Sequence, residues 1–259
     1  MKKHFFGIGV FGLAMLFGLS SQASAEEAKA YQSDGVIEFI PSTDPIDPVD
    51  PENPEPGNPV QPIDPTNPDG PDPGTQGPLS IDYASSFDFG KNRISNKDQV
   101  YFARAQKYQG EQKDTPNYVQ ITDNRGTNHG WTLTIEQEEQ LKAVTPTEND
   151  VLKGAEITLA NPTVESTILY DQKPLAAESI SLVPGETEVV VTAEAGTGAG
   201  TWATYWGAVE EAEEQDEQGN TQKVNVTKDV KLSVPGETPK DAVNYQTQLT
   251  WTLTDVPKN

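Results

Sequence analysis

Of the 21 prolines in this chain of 259 residues, 13 fall between positions 41 and 78. Each proline fixes φ, lacks a backbone N–H and disfavours the helical region for the residue before it, so neither a helix nor a central strand can occupy that stretch. It repeats Asp-Pro and Asn-Pro steps and holds eight acidic residues and no basic one, so like charges also oppose collapse. Residues 41–78 therefore read as an extended, acidic, Pro-rich linker in polyproline II, on the order of 118 Å long at ~3.1 Å per residue if fully stretched. A semi-rigid spacer is the first use of such a segment, and recognition by a proline-binding partner the second.

The flanks are different in kind. Residues 1–25 join Lys2 and Lys3 to an apolar run of 15 residues and then to Ala23-Ser24-Ala25, the pattern of a secretory signal peptide cleaved after Ala25. The run falls short of the ~20 residues needed to cross a bilayer and none follows, so no membrane span is expected in the mature chain. The sequence closes on Leu253-Thr254-Asp255-Val256-Pro257-Lys258-Asn259, without the hydrophobic tail of a sortase-type covalent anchor. The expected protein is exported and either released or held outside the cell by noncovalent contacts. Between leader and spacer, residues 26–40 include Gly35-Val36-Ile37-Glu38-Phe39-Ile40, a β-prone stub too short to fold alone. It either pairs with an edge of the main domain or is offered to a partner by strand addition.

Residues 79–259 are enough for one domain with a sizeable core. Short runs rich in Val, Ile, Thr and aromatics alternate with turn residues, which predicts an all-β fold, an antiparallel β-sandwich. Strands are expected near 80–89, 99–106, 118–122, 131–136, 156–160, 188–194, 202–206, 230–234 and 245–254. Val189-Val190-Val191 lacks alternation and reads as a central strand. Val183-Pro184-Gly185-Glu186-Thr187 and its repeat Val234-Pro235-Gly236-Glu237-Thr238 read as type II turns, with glycine where φ is positive. Gly196-Thr197-Gly198-Ala199-Gly200 reads as a hairpin loop rather than a phosphate cradle, since neither lysine nor helix follows. Residues 210–218, six of nine acidic and without an apolar stripe, read as a solvated loop or frayed helix without the spaced oxygens of an EF-hand.

Charge and composition exclude whole classes of function. Forty acidic against 18 basic residues give a net charge of -22, which removes the phosphate neutralisation behind nucleic-acid binding and the attraction to an anionic membrane. There is no cysteine, and histidine occurs only at positions 4 and 129. Thiol nucleophiles, thiolate metal sites and histidine pairs are excluded, and neither cofactor nor metal is expected. A glycosidase would need two carboxylates across a cleft. A serine hydrolase would need His129 beside a serine and a carboxylate, yet no Gly-x-Ser-x-Gly elbow exists. The chain is not expected to be an enzyme.

One tetrapeptide occurs twice: Trp131-Thr132-Leu133-Thr134 and Trp251-Thr252-Leu253-Thr254, 120 residues apart. In a strand, Trp and Leu two apart share one face and the threonines share the other. The pair resembles the two Trp-x-Leu motifs of the WxL family of Gram-positive surface proteins. The leader, the acidic Pro-rich stretch, Phe87-Asp88-Phe89-Gly90 and Val100-Tyr101-Phe102-Ala103 extend the resemblance over the mature chain. It implies display on the cell surface by noncovalent attachment to peptidoglycan, in company with other WxL proteins and membrane-anchored surface proteins. A secreted adhesin for a host ligand, without wall affinity, is the alternative reading, and a glycan-acting hydrolase a remote one. Trp131, Leu133, Trp251 and Leu253 are the candidate motif residues. Their alternation suits a sandwich core, while an indole face laid against sugar C–H groups is the other role open to them. Trp202, Tyr205 and Trp206 are less regular, and at least one of them is expected in an exposed patch.

Overall fold

The computed structural model describes residues 29–170, 172–215 and 218–256. The expected signal peptide, residues 1–25, lies outside the described residues, as do the last three. The chain divides into two compact units, Met1–Glu38 and Phe39–Asn259. Residues 29–38, the described part of the first, are exposed and belong to no strand. Among the described residues there is no helix, and none long and apolar enough to cross a membrane.

The second unit is all antiparallel β. Its first strands are β1 (Leu79–Ala84), β2 (Gln99–Arg104), β3 (Tyr118–Asp123), β4 (Trp131–Gln137) and β5 (Lys142–Ala143). The middle of the chain forms β6 (Glu156–Ala160), β7 (Pro162–Glu165), β8 (Leu175–Ala176), β9 (Ser179–Leu182) and β10 (Thr187–Ala193). The last are β11 (Gly200–Trp206), β12 (Val209–Gln215), β13 (Thr221–Val234), β14 (Tyr245–Gln246) and β15 (Leu249–Thr254). They assemble as β1-β3-β11-β7, β15-β4-β10-β8 and β12-β13-β6-β9, with β2 also on β13, and β14 pairs with β5. One core joins the three larger sheets: Trp131, Leu133 and Ile135 of β4 meet Ile157 and Leu159 of β6, Val190 and Val191 of β10, and Trp202 and Trp206 of β11.

Local chemistry explains the less regular strands. In β10 the register against β4 shifts between Val189 and Val191, and both Val190 and Val191 are buried. A bulge breaks the alternation and turns two consecutive valines inward, so the run without alternation is indeed a central strand, between β4 and β8. The acidic run expected as a loop or frayed helix instead supplies β12, paired along its length with the first half of β13. Its glutamates find cations remote in sequence: Lys223 and Lys228 reach Glu211 and Glu210 at 2.6 Å, and Arg104 forks onto Glu214. Residues 196–200 are not a hairpin loop, because β10 and β11 lie in different sheets.

The repeated Val-Pro-Gly-Glu-Thr takes two shapes. At the first copy Gly185 has φ 79° and the Glu186 N–H donates to the Val183 carbonyl at 2.9 Å. At the second the turn shifts by one residue, with Thr238 N–H donating to Pro235 O at 3.2 Å. Gly236 there is needed for space rather than φ, since a Cβ would stand 2.5 Å from the backbone of Lys97.

The largest departure from expectation is the Pro-rich segment, which is no free spacer over its middle but a strap bound to the sheets. Val49 is wholly buried, and Pro51, Pro54 and Pro62 are buried too. Val49 N–H donates to Gln120 Oε1 at 2.8 Å, and Gln120 Nε2 donates to Asp47 O at 3.1 Å and to Asp82 Oδ2 at 2.9 Å. Further along, Ile63 N–H donates to Lys107 O at 2.8 Å and Gln109 N–H to Gln61 O at 2.9 Å. Thr75 then exchanges two 2.8 Å bonds with Ile81 of β1. Proline lacks a donor but keeps its carbonyl, and the Val, Ile, Gln and Thr residues between prolines keep both groups. An extended strap can therefore dock even though it cannot join a ladder at every position.

Asp82 anchors this arrangement from below. Its carboxylate accepts from Ser80 Oγ and Thr122 Oγ1, each at 2.6 Å, as well as from Gln120. Burial raises its pKa above the ordinary aspartate value, against the opposing pull of the hydrogen bonds from Ser80, Thr122 and Gln120.

Candidate functional site

The two Trp-x-Leu motifs, 120 residues apart in sequence, lie on neighbouring strands. β15 pairs antiparallel with β4, setting Leu253 opposite Leu133, Thr252 opposite Thr134 and Thr254 opposite Thr132. Threonine hydroxyls stitch the pair: Thr134 Oγ1 donates to Thr252 O and Thr254 Oγ1 to Thr132 O, both at 3.3 Å.

The motifs differ in depth. Trp131 and Leu133 have no exposed surface, and the Trp131 indole N–H is held by Gly198 O at 2.9 Å. Gly198 has φ 78°, and a Cβ there would stand 2.6 Å from the indole nitrogen. Gly198 in this loop thus caps the Trp131 indole, where a side chain has no room. Trp251 and Leu253 are half-buried at the sheet margin and pack on the core. The Trp251 ring lies 6.1 Å from that of Trp206, tilted by 38°, and Phe87 meets Trp206 edge-on at 6.4 Å. The proximal motif is therefore core, and the distal motif packs on that core from the strand that closes one side of its sheet.

The expected exposed patch around Trp202, Tyr205 and Trp206 does not form. Both tryptophans are buried, and Tyr205 packs on a cluster of Tyr83, Tyr108 and Tyr118. Burial pushes the phenols of Tyr83 and Tyr108 well above the ordinary tyrosine value. His129 sits exposed in the loop before β4, between Asn128 at φ 52° and Gly130 at φ 81°.

The apolar surface lies elsewhere. A groove of about 480 Å³ runs between β7 and β8, lined by Pro162, Val164, Leu175 and Ala176 with Asn161 and Glu178 as polar members. The loop joining these strands presents Leu169, 98% exposed, and Tyr170, whose ring rests 5.9 Å from that of Trp202 at a 31° tilt. Nothing in Ile168-Leu169-Tyr170 marks it as surface in the sequence, because a short apolar run reads equally as buried strand.

The site so defined is an antiparallel β-domain in which the two Trp-Thr-Leu-Thr strands pair side by side. Over residues 26–257 the chain matches the family described as WxL domain surface cell wall-binding, and it belongs to that family. No curated protein and no solved structure gives a match to it.

Proposed function

We propose that this protein is exported through its N-terminal leader and held noncovalently on the Gram-positive wall by peptidoglycan, with the groove between β7 and β8 as the glycan contact. The observation that carries this reading is the groove itself, lined by Pro162, Val164 and Leu175, with Leu175 exposed on its rim and exposed Leu169 on the loop that joins its two strands. Sugar rings pack their C–H faces on apolar and aromatic surface while a few polar groups fix orientation, and Asn161 and Glu178 supply such groups here. Burial of Trp131 and Leu133 supports a scaffolding role for the motif and leaves ligand contact to the surface. The role is binding rather than catalysis. In support of that, the buried Asp82 is occupied by three structural hydrogen bonds. A place in a surface assembly with other WxL and membrane-anchored proteins belongs to the same reading.

The test is a pull-down of the secreted protein by purified sacculi, with and without teichoic acid. Leu169→Asp/Leu175→Asp, both at exposed positions, is expected to lose binding by about tenfold or more with an unchanged melting midpoint. Unchanged binding by that variant moves the contact off the groove. Failure of the wild-type protein to bind sacculi favours the adhesin reading.

A further inference from the structure

We infer that residues 35–40 of one molecule add as a strand to the free edge of β15 in a second copy. The donor is present and unpaired: Val36, Ile37, Phe39 and Ile40 are 95%, 77%, 85% and 82% exposed, and none of residues 35–40 belongs to a strand. Five consecutive residues, four of them apolar and without proline or glycine, form a segment that gains by entering a sheet and is a hazard if left outside one.

The acceptor follows from comparing the edges. The outer side of β1 is taken up by Thr75 of the strap. β12 carries four glutamates, β7 begins with Pro162 and ends with Glu165, and β9 has only four residues. β2 ends at Arg104, whose N–H donates to Asp88 O at 2.7 Å. β15 reads Leu-Thr-Trp-Thr-Leu-Thr over six residues, ends its sheet, and among the described residues pairs with β4 alone, in unbroken register. It has no charge, proline or bulge, the devices by which natural sheets blunt an edge.

The side chains suit each other. Leu249, Trp251 and Leu253 face the core but remain partly open. An added strand that sets Ile37 and Phe39 beside them extends the cover, and the period of two then places Glu38 on the threonine face, where the exposed Thr252 hydroxyl can donate to it. A second copy is the occupant because donor and acceptor are both encoded in this chain, the donor is exposed, and β15 has a hydrogen-bonded strand on one side alone. Donor and edge are different surfaces, so exchange closes as a reciprocal pair or runs on from molecule to molecule.

The chain has no cysteine, so introduced thiols report the pairing directly. Secreted protein carrying Glu38→Cys, mixed with protein carrying Thr250→Cys or Thr252→Cys to cover the register, is expected to give a disulfide-linked dimer on mild oxidation. Adding Ile37→Asp/Phe39→Asp to the donor should reduce that product to background. Light scattering should give the wild-type protein a mass above one chain, which falls to one chain in the Asp variant at an unchanged melting midpoint. A wild-type mass of one chain with no cross-link in the mixture overturns the inference. So does a doubly substituted chain that closes on itself at high dilution, which places the strand in its own sheet, and so does assembly that requires a different surface protein.

Discussion

Leu133 and Leu253 stand directly opposite each other across β4 and β15, and their tryptophans depart from that pair in opposite directions. Because the strands are antiparallel, Trp131 runs inward beneath the glycine loop while Trp251 runs along the margin onto Trp206. One motif written twice therefore bears unequal weight. Trp131→Ala is expected to cost roughly 3 to 5 kcal/mol, the range for emptying a fully buried indole site. Trp251→Ala should cost less, ~2 to 3 kcal/mol, since part of its surface stays exposed. Urea melts of the two variants give the comparison, and equal costs would contradict the difference in depth.

Gly198 should tolerate no side chain. Alanine there must hold a φ of 78° and set its Cβ 2.4 Å from the Ala193 Cβ and 2.6 Å from the Trp131 indole nitrogen. Gly198→Ala is expected to destabilise by about 2 kcal/mol or more and to disturb the Trp131 indole N–H resonance. Gly185→Ala, where nothing lies within 4 Å of the added Cβ, should cost about 1 kcal/mol from φ alone.

The docked strap predicts slow amide exchange in a segment whose composition suggests none. Val49, Val60 and Ile63 donate within the strap or to the sheets at 2.8 Å, so their amides should be protected well beyond those of a solvated polyproline segment. Gln120→Leu should speed exchange at Val49 in particular and destabilise by roughly 1 to 3 kcal/mol, because it strips partners from Val49 and Asp82 together.

How far the sequence discloses this structure depends on where the pairing information lies. The proximal Trp-x-Leu strand and the segment around residues 156–160 are legible because each carries its own apolar alternation, and both form at β4 and β6. β12 is not legible, since its cations lie on β2 and β13, up to 110 residues away. The strap fails for a related reason. Proline rules describe what a segment cannot donate, whereas docking depends on Gln120 and Lys107 offering groups from elsewhere in the chain. Among the candidate motif residues, alternation suits Trp131, Leu133, Trp251 and Leu253 alike to a core, and the difference in depth between the two pairs has no local pattern. The groove was hidden, because exposure of Leu169 and Tyr170 is a tertiary property with no local pattern.

Asp82 predicts the sign of one pH effect. Burial lifts its pKa, so between the ordinary aspartate value near 3.9 and its raised value the folded chain holds a proton that the unfolded chain has released. Its contribution to stability is then greatest at acid pH and declines as pH climbs through that window. Asp82→Asn removes this slope and leaves the repulsion among the other acidic groups common to both proteins. Melting midpoints measured from about pH 4 to pH 7 should therefore shift in favour of the Asn variant, relative to wild type, as pH rises.

Wall binding should respond to salt in the direction opposite to that of a basic surface protein. A net charge of -22 faces wall polymers that are themselves anionic, so long-range electrostatics oppose approach, and under the proposed function it is short-range apolar and hydrogen-bonding contact at the groove that favours it. Salt shortens the reach of that repulsion from about 10 Å at 0.1 M to about 3 Å at 1 M while leaving close contacts largely intact. Binding to sacculi is therefore expected to hold or strengthen as salt is raised over that range, chiefly through faster association. Removing teichoic acid, which removes much of the opposing charge, should raise affinity at low salt and change little at high salt. A steep loss of binding with salt would mean that Lys or Arg side chains make the contact, and would count against an apolar groove.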